Sequence, residues 1–246
     1  IFEVNEKPSN IIVDAEHMLL AEIFDEKSDE MWLEQMSAPL YMDSKIALEN
    51  ISDKNTNKAI LHAIKNDFWG IRLLGVKKAK KLKEKDEFID LIHENAKNEK
   101  NTKVRAAALG FLASLDNMNE YSSLFEAATK EKSLLVAGAG LRALAKVDSK
   151  KALDITPDFE KDFKYLVGEI YANYGGPEKA SYFEEQLETA NGYELYYLTR
   201  NYVTFLKKQE LRNILEGMPT IEKISKEAKS WMIRASKYHL KDLKET

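Results

Sequence analysis

The spacing of apolar residues along the chain changes near residue 28. Before that point, two short runs of β-type residues, 1–4 and 11–13, flank residues that are typical of turns. Beyond it, apolar residues recur at the three- and four-residue intervals of a helix that buries one face. The pattern predicts that residues 1–27 are the end of a β-sandwich domain or linker strands. Residues 28–246 are predicted to form an α-helical, HEAT-like repeat domain.

Roughly a dozen helices are predicted in the second part, with short polar connections between them. The content of ten glycines and five prolines is low, which also favours a mainly helical fold. Pro39 is expected in the first turn of its helix, where its missing N–H costs no hydrogen bond. The predicted apolar faces lie within residues 32–36, 46–51, 59–64, 71–82, 88–96, 104–115, 121–128, 134–147, 159–174, 180–187, 195–206, 211–215 and 221–240.

Part of the helical region repeats itself. Residues 104–116 and 136–148 align at an offset of 32 residues, and a similar pattern at 71–79 precedes the first copy by 33 residues. Two helices fill a period of this length, which predicts a mainly α fold of the α-solenoid (α-α superhelix) type. Small residues at 106–108 and 137–140 are expected to let inner helices of adjacent hairpins approach closely.

The composition restricts the chemistry available to this chain. It has no cysteine, which excludes disulfides, thiolate nucleophiles and cysteine-ligated metals. There are 41 acidic and 37 basic residues, so the net charge is −4 and bulk attraction to nucleic acid is not expected. No apolar stretch approaches the roughly 20 residues that span a bilayer. The sequence therefore predicts neither a nucleic-acid partner nor a membrane span.

No catalytic or metal-binding motif is recognised in the sequence. His93 is followed by Glu94, as in the His-Glu-x-x-His helix of zinc peptidases, but Lys97 stands where the second histidine should be. The other three histidines have no second ligand three or four residues away. The glycine-rich phosphate loops and the nucleophile elbow do not occur either. No catalytic or metal residue is predicted.

Two other local features have structural interpretations. Six lysines between residues 77 and 85 are followed by acidic residues, which favours a solvated turn between hairpins over a patch for nucleic acid or lipid. The Gly175-Gly176-Pro177 sequence is typical of a helix end followed by the start of the next helix.

Tyrosines are concentrated in the later part of the chain, where eight lie between residues 165 and 202. Tyr193, Tyr196 and Tyr197 share a helical face with Arg200. Burial in a solenoid core is the default interpretation of these residues. The alternative is a domain-interface or peptide-facing surface, because Tyr and Arg are enriched where proteins bind one another.

Three pieces of sequence occur in an order that resembles one enzyme family. They are Lys7-Pro8 with Ile11-Ile12-Val13-Asp14, then Trp32-Leu33-Glu34-Gln35-Met36, then Ala38-Pro39-Leu40-Tyr41-Met42-Asp43-Ser44-Lys45-Ile46-Ala47-Leu48. This order is similar to the junction between the β-sandwich domain and the C-terminal helical domain of zinc aminopeptidases of the aminopeptidase N family, which are gluzincin metallopeptidases. The recognisable sequence motifs lie within residues 1–51. The rest of the chain resembles the family in its predicted helical architecture.

The resemblance implies a parent hydrolase that removes N-terminal residues from peptides by means of a zinc-activated water. Zinc would be held by the parent's catalytic domain, and no position here matches the family's zinc or catalytic motifs. The chain is thus expected to be inactive alone, to hold no cofactor and to enclose the active-site cleft, limiting access. Its expected partners are its own upstream catalytic and β domains and, in the full-length protein, the peptide substrate.

Two other functions fit the same residues. One is a free-standing HEAT-like scaffold that binds a protein through the Tyr193–Arg200 face. Such a scaffold is expected to begin with a polar capping helix, whereas this chain begins with β-type residues and without Met, as a piece of a longer polypeptide would. The other is an independent enzyme, for example a lyase of the HEAT-repeat kind.

Overall fold

The computed structural model describes residues 3–208 and Ser230. Within them the fold is mainly helical, with twelve α-helices and no β-strand. The helices are α1 (Asp29–Gln35), α2 (Tyr41–Asn50), α3 (Thr56–Ile64), α4 (Trp69–Lys81), α5 (Asp86–Asn98), α6 (Thr102–Leu112), α7 (Ser122–Thr129), α8 (Leu134–Val147), α9 (Ser149–Ile155), α10 (Lys164–Tyr174), α11 (Ala180–Thr189) and α12 (Gly192–Lys208). The helices predicted at 211–215 and 221–240 lie outside the described residues, Ser230 apart.

The β-strands expected near the start of the chain are not confirmed. Residues 3–27 follow an irregular path with turns, and no strand is assigned to them. Residues 1 and 2 of the first predicted strand lie outside the described part. Two strands of three or four residues do not form a stable sheet without further strands, and none of the described residues supplies one.

Two local predictions about helix ends can be compared with the structure. Gly175 follows the last residue of α10, as the sequence indicates. Ser28 caps α1 by accepting a hydrogen bond from the N–H of Met31. The prediction for Pro39 is wrong, because α2 begins at Tyr41 after an extended Leu40. The Ser44 hydroxyl, which donates to the backbone oxygens of the α1–α2 connection, keeps Pro39 in that connection.

Two helices differ from the predicted pattern. The apolar spacing over 159–174 predicts one helix, but a short 3₁₀ helix ends at Phe159 and α10 begins only at Lys164. Helix α9 is not predicted, because it is seven residues long and carries few apolar residues. The signal that identifies it is Asp148, whose carboxylate accepts a hydrogen bond from the N–H of Lys151.

The chain divides into two compact units, one comprising Ile1–Ala127 with Glu131–Ala139 and the other Ala128–Lys130 with Gly140–Thr246. In unit 1, α3 packs against α4, and α5 packs against α6. Helix α4 also contacts α2 and α6, and α3 contacts α5, so the even-numbered helices form one layer and the odd-numbered helices another. A Cβ atom at Gly75 would lie 2.9 Å from Ile64 Cγ1, so this glycine permits the close approach of α3 and α4.

Buried apolar residues hold the first helices of unit 1 together. They are Trp32, Met36, Ala47, Leu48, Ile51, Ala59, Ala63 and Ile71. In unit 2, α10 and α11 both pack against α12. Phe183 lies at the centre of this packing, with ring centroids 5.2 Å from both Tyr202 and Phe205. Each unit therefore has its own apolar core.

Arg72 joins three elements of unit 1. Its Nε and Nη2 atoms donate to the two carboxylate oxygens of Glu99 at 2.6 and 2.9 Å, and its Nη1 donates to the backbone oxygens of Asn66 and Asp67. Glu99 follows α5, whereas Asn66 and Asp67 lie between α3 and α4. The side chain of Glu99 is only 6% exposed. This two-pronged pair fixes the α3–α4 connection relative to the end of α5.

The same type of ion pair recurs along the chain. In unit 1, Arg105 of α6 pairs with Glu131, which is 26 residues later. In unit 2, Arg142 of α8 pairs with Glu169 of α10, 27 residues later, which is also the separation of Arg72 and Glu99. Each arginine lies on an even-numbered helix and reaches a glutamate beyond the following odd-numbered helix.

We expect Glu99→Gln to lower the free energy of unfolding at pH 7 by about 2 kcal/mol, because hydrogen bonds to charged groups contribute roughly that much. The hydrogen bonds from Arg72 lower the pKa of Glu99. Its stabilising contribution is therefore complete above the unfolded-state pKa of about 4.3 and is lost as the pH falls through the lower folded-state value. Urea titrations of wild type and variant should converge at low pH.

Glu49→Gln is the matched control for this measurement. Glu49 and Lys45 form an exposed pair at 4.0 Å, so this substitution should change stability by less than about 0.5 kcal/mol. A cost for Glu99→Gln no larger than that of the control would contradict the proposed importance of the Arg72 pair.

Candidate functional site

The tyrosines of unit 2 form two groups, one buried and one exposed. Tyr171, Tyr182 and Tyr202 are buried in the core, as the default interpretation of the sequence has it. Their hydroxyls donate hydrogen bonds to Glu160, to the backbone oxygen of Lys164 and to Glu184, respectively. Burial, together with nearby carboxylates, raises the pKa of all three phenols. These residues therefore stabilise the unit as neutral side chains.

The predicted candidate residues lie together on the outer face of α12. We call Tyr165, Tyr193, Tyr196, Tyr197 and Arg200 the tyrosine surface. Tyr193 is 84% exposed, and the other three tyrosines are between 36% and 41% exposed. Ring centroids are 4.7 Å apart for Tyr165 and Tyr197 and 5.2 Å apart for Tyr196 and Tyr197. The helical spacing predicts that the three tyrosines of α12 share a face, whereas Tyr165 joins them from α10.

A cleft of about 330 Å³ adjoins the tyrosine surface. Its charged walls include Lys164 and Glu194, which pair at 3.2 Å. The Arg142 guanidinium lies 5.8 Å from the Tyr165 ring centroid. The arrangement combines ring faces with charges of both signs, which suits the binding of a polypeptide segment.

The N-terminal residues contact α1 and α2 through polar side chains. Asn10 donates a hydrogen bond to the backbone oxygen of Met31, and His17 Nε2 lies 3.2 Å from the carboxylate of Asp43, which is 2% exposed. The side chain of Lys27 is also 2% exposed; its Nζ lies 2.7 Å from Asp25. The contacts of Asn10 and His17 were not predicted from the sequence, because they join residues more than twenty positions apart.

The outer side of the same region is apolar. We call residues 18–24 the apolar segment. Met18 is 79% exposed, Leu20 is fully exposed and Phe24 is 90% exposed. Asp14 fixes the start of the segment, since its carboxylate accepts hydrogen bonds from the N–H groups of Met18 and Leu19. A row of large apolar side chains in solvent is typical of a surface that another molecule covers.

The remaining candidates from the sequence have structural explanations. His93 lies on α5 and contacts the Tyr121 ring edge-to-face, with centroids 5.1 Å apart. In the lysine cluster, Lys78 donates to the backbone oxygen of Leu48, and Lys85 donates to Ser114. Over the residues described, no group of three or more potential metal ligands is found. In the same residues, none of the helices has the length and apolarity needed to cross a bilayer.

No family model, curated protein or solved structure matches the chain. The two exposed surfaces, the tyrosine surface and the apolar segment, are the features of the described residues that bear on function.

We expect the stability of unit 2 to fall at high pH, because its buried tyrosines have a raised pKa. A group of this kind stabilises the fold fully below its unfolded-state pKa of about 10 and loses that contribution as the pH rises through the folded-state value. Tyr202→Phe should reduce this alkaline loss by up to about 1.4 kcal/mol per pH unit, measured by urea unfolding between about pH 9 and 11. Tyr193→Phe, at an exposed position, should leave it unchanged; equal behaviour of the two variants would contradict the prediction.

Proposed function

We propose that this chain is the C-terminal helical domain of a zinc-dependent aminopeptidase whose catalytic zinc lies in an upstream domain. The observation that carries the proposal is the apolar segment, which directs Met18, Leu20 and Phe24 into solvent. Burying side chains of this size is worth about 1.5–3 kcal/mol each. A neighbouring β domain of the same polypeptide would gain that energy by covering them.

The helical hairpins support a solenoid architecture for this domain. In unit 1, successive hairpins stack with like helices in the same layer, and the Arg–Glu pair recurs at separations of 27, 26 and 27 residues. Repeats that contact only their neighbours give a curved array with an extended binding surface. Such an array beside a catalytic cleft would admit peptide ends and exclude bulk water, a gating contribution rather than a chemical one.

In this proposal the tyrosine surface contacts either a neighbouring domain or the peptide substrate. Its exposed rings and Arg200 are residue types that contribute strongly to binding when they become desolvated. The charges beside it are of both signs, which suits main-chain and side-chain groups of peptides of varied sequence.

The second candidate is a free-standing scaffold that binds a protein through the tyrosine surface. The observation that favours it is the 84% exposure of Tyr193 together with three partly exposed neighbouring tyrosines. The apolar segment weighs against it, because terminal repeats of free solenoids need a polar outer face for solubility.

The sequence of the gene upstream of residue 1 tests the proposal directly. We expect a His-Glu-x-x-His motif followed by a downstream glutamate, which together hold a catalytic zinc. The full-length polypeptide should hydrolyse aminoacyl p-nitroanilides and lose this activity on chelation of zinc. The present chain with added zinc should not hydrolyse them. An upstream sequence without a zinc motif, or turnover by the chain alone, would overturn the proposal.

A double substitution in the apolar segment tests the observation on which the proposal rests. Leu20→Asp with Phe24→Asp should change the stability of the chain alone by less than about 0.5 kcal/mol, because both side chains are exposed. In the full-length polypeptide we expect a loss of about 3 kcal/mol or more and faster proteolysis between the domains. Glu26→Gln, at an exposed position just after the segment, is the matched control and should have no effect in either protein. Equal effects of the double substitution in both proteins would argue against domain docking at this segment.

A further inference from the structure

A second cleft lies in unit 1, and its lining includes no residue of the tyrosine surface or the apolar segment. We call it the loop cleft; its volume is about 400 Å³, and the connections α1–α2 and α3–α4 form its walls. Small-molecule sites in proteins have volumes of about 300–1,000 Å³. The side chains that matter for its chemistry are Ser37, Tyr41, His62, Lys65, Asp67 and Phe68.

One wall of the loop cleft is aromatic. The rings of Tyr41 and Phe68 meet edge-to-face with centroids 5.5 Å apart, and they are 38% and 44% exposed. Gly70 makes room for them, since a Cβ atom there would lie 2.5 Å from Phe68 Cε1 and 3.2 Å from Tyr41 Cε2. A flat apolar group of a ligand can pack against these half-exposed rings, either stacked or edge-to-face.

The rest of the cleft carries polar and charged groups. Lys65 and Asp67 are exposed, have opposite charges and make no ion pair with any residue that the structure describes. His62 Nε2 lies 3.3 Å from the Ser37 hydroxyl, while His62 Nδ1 is buried without a hydrogen-bond partner among the described residues. Such an unsatisfied buried atom is uncommon.

The wall that carries the charges is held in a fixed position. Arg72 Nη1 donates to the backbone oxygens of Asn66 and Asp67 at 2.8 and 2.7 Å, while the same guanidinium is paired with Glu99. The Asn66 side chain donates to the backbone oxygen of Met36, which precedes Ser37 of the other wall. The backbones of the two connections are therefore tied together, so little backbone ordering is needed when a ligand binds.

We propose that the loop cleft binds a free amino acid with a large apolar side chain. The apolar side chain packs against Tyr41 and Phe68, the α-carboxylate pairs with Lys65, and the α-ammonium pairs with Asp67. An apolar wall beside two groups of opposite charge is complementary to this zwitterion. The inference is independent of the proposed function, since it uses only side chains of the cleft.

L-Phenylalanine is the probe that tests this inference, in saturation-transfer NMR titrations of the chain. We expect a dissociation constant of about 1 mM and binding about tenfold weaker for phenylalaninamide, N-acetylphenylalanine and glycine, which lack the carboxylate, the ammonium and the ring, respectively. Lys65→Met, Asp67→Asn and Tyr41→Ala should each weaken phenylalanine binding about tenfold. Lys97→Met, at an exposed position on α5, is the matched control and should bind as the wild type does.

Each outcome of this titration decides the question. Selective binding of phenylalanine that the cleft variants weaken would support the inference, provided that circular dichroism shows each variant folded. Absence of binding at about 10 mM, equal binding of phenylalanine and its amide, or binding that survives both Lys65→Met and Asp67→Asn would overturn it. The aminopeptidase proposal would be unaffected by any of these results.

Discussion

The packing of α4 against both α3 and α6 is the contact on which the rest of unit 1 depends. Gly75 lets α3 approach closely, and the apolar side chains between the helices supply most of the stabilisation. Arg72, at the start of the same helix, fixes the relative position of the neighbouring elements, because it donates hydrogen bonds to both the α3–α4 connection and the end of α5. A single helix thus sets the positions of two hairpins and of the loop cleft.

Helix existence was predictable from the sequence, and helix ends much less so. One-sided burial imposes a three- to four-residue period, which is why α8 was predicted at residues 134–147, as observed. Where local hydrogen bonds determine the start of a helix, the apolar period does not predict it. The Ser44 hydroxyl holds Pro39 outside α2, and α9 depends on its Asp148 cap rather than on an apolar face. Among the residues that the structure describes, the β-type residues near the N-terminus form no strand, since a strand needs a partner that sequence preference alone does not supply.

The part of the candidate site that lies on a single helix face was predictable from the sequence. Tyr193, Tyr196 and Tyr197 share a face through local geometry alone. That Tyr165 joins them while Tyr202 is buried depends on how α10 and α11 pack on α12, which no local pattern contains. The Arg–Glu pairs were hidden for the same reason: Arg72 and Arg105 stand at matching places in the aligned repeats, but Arg142 does not, and their glutamates lie outside the aligned segments.

The N-terminal residues reverse the usual order of a folded surface, with Lys27 and the Asp43 contact inside and Leu20 and Phe24 outside. Apolar contacts tolerate sliding, whereas hydrogen bonds and ion pairs fix both distance and angle. The polar contacts therefore fix the position of the N-terminal residues on α1 and α2, whereas a body that covered Leu20 and Phe24 would meet an apolar surface on which it could still turn.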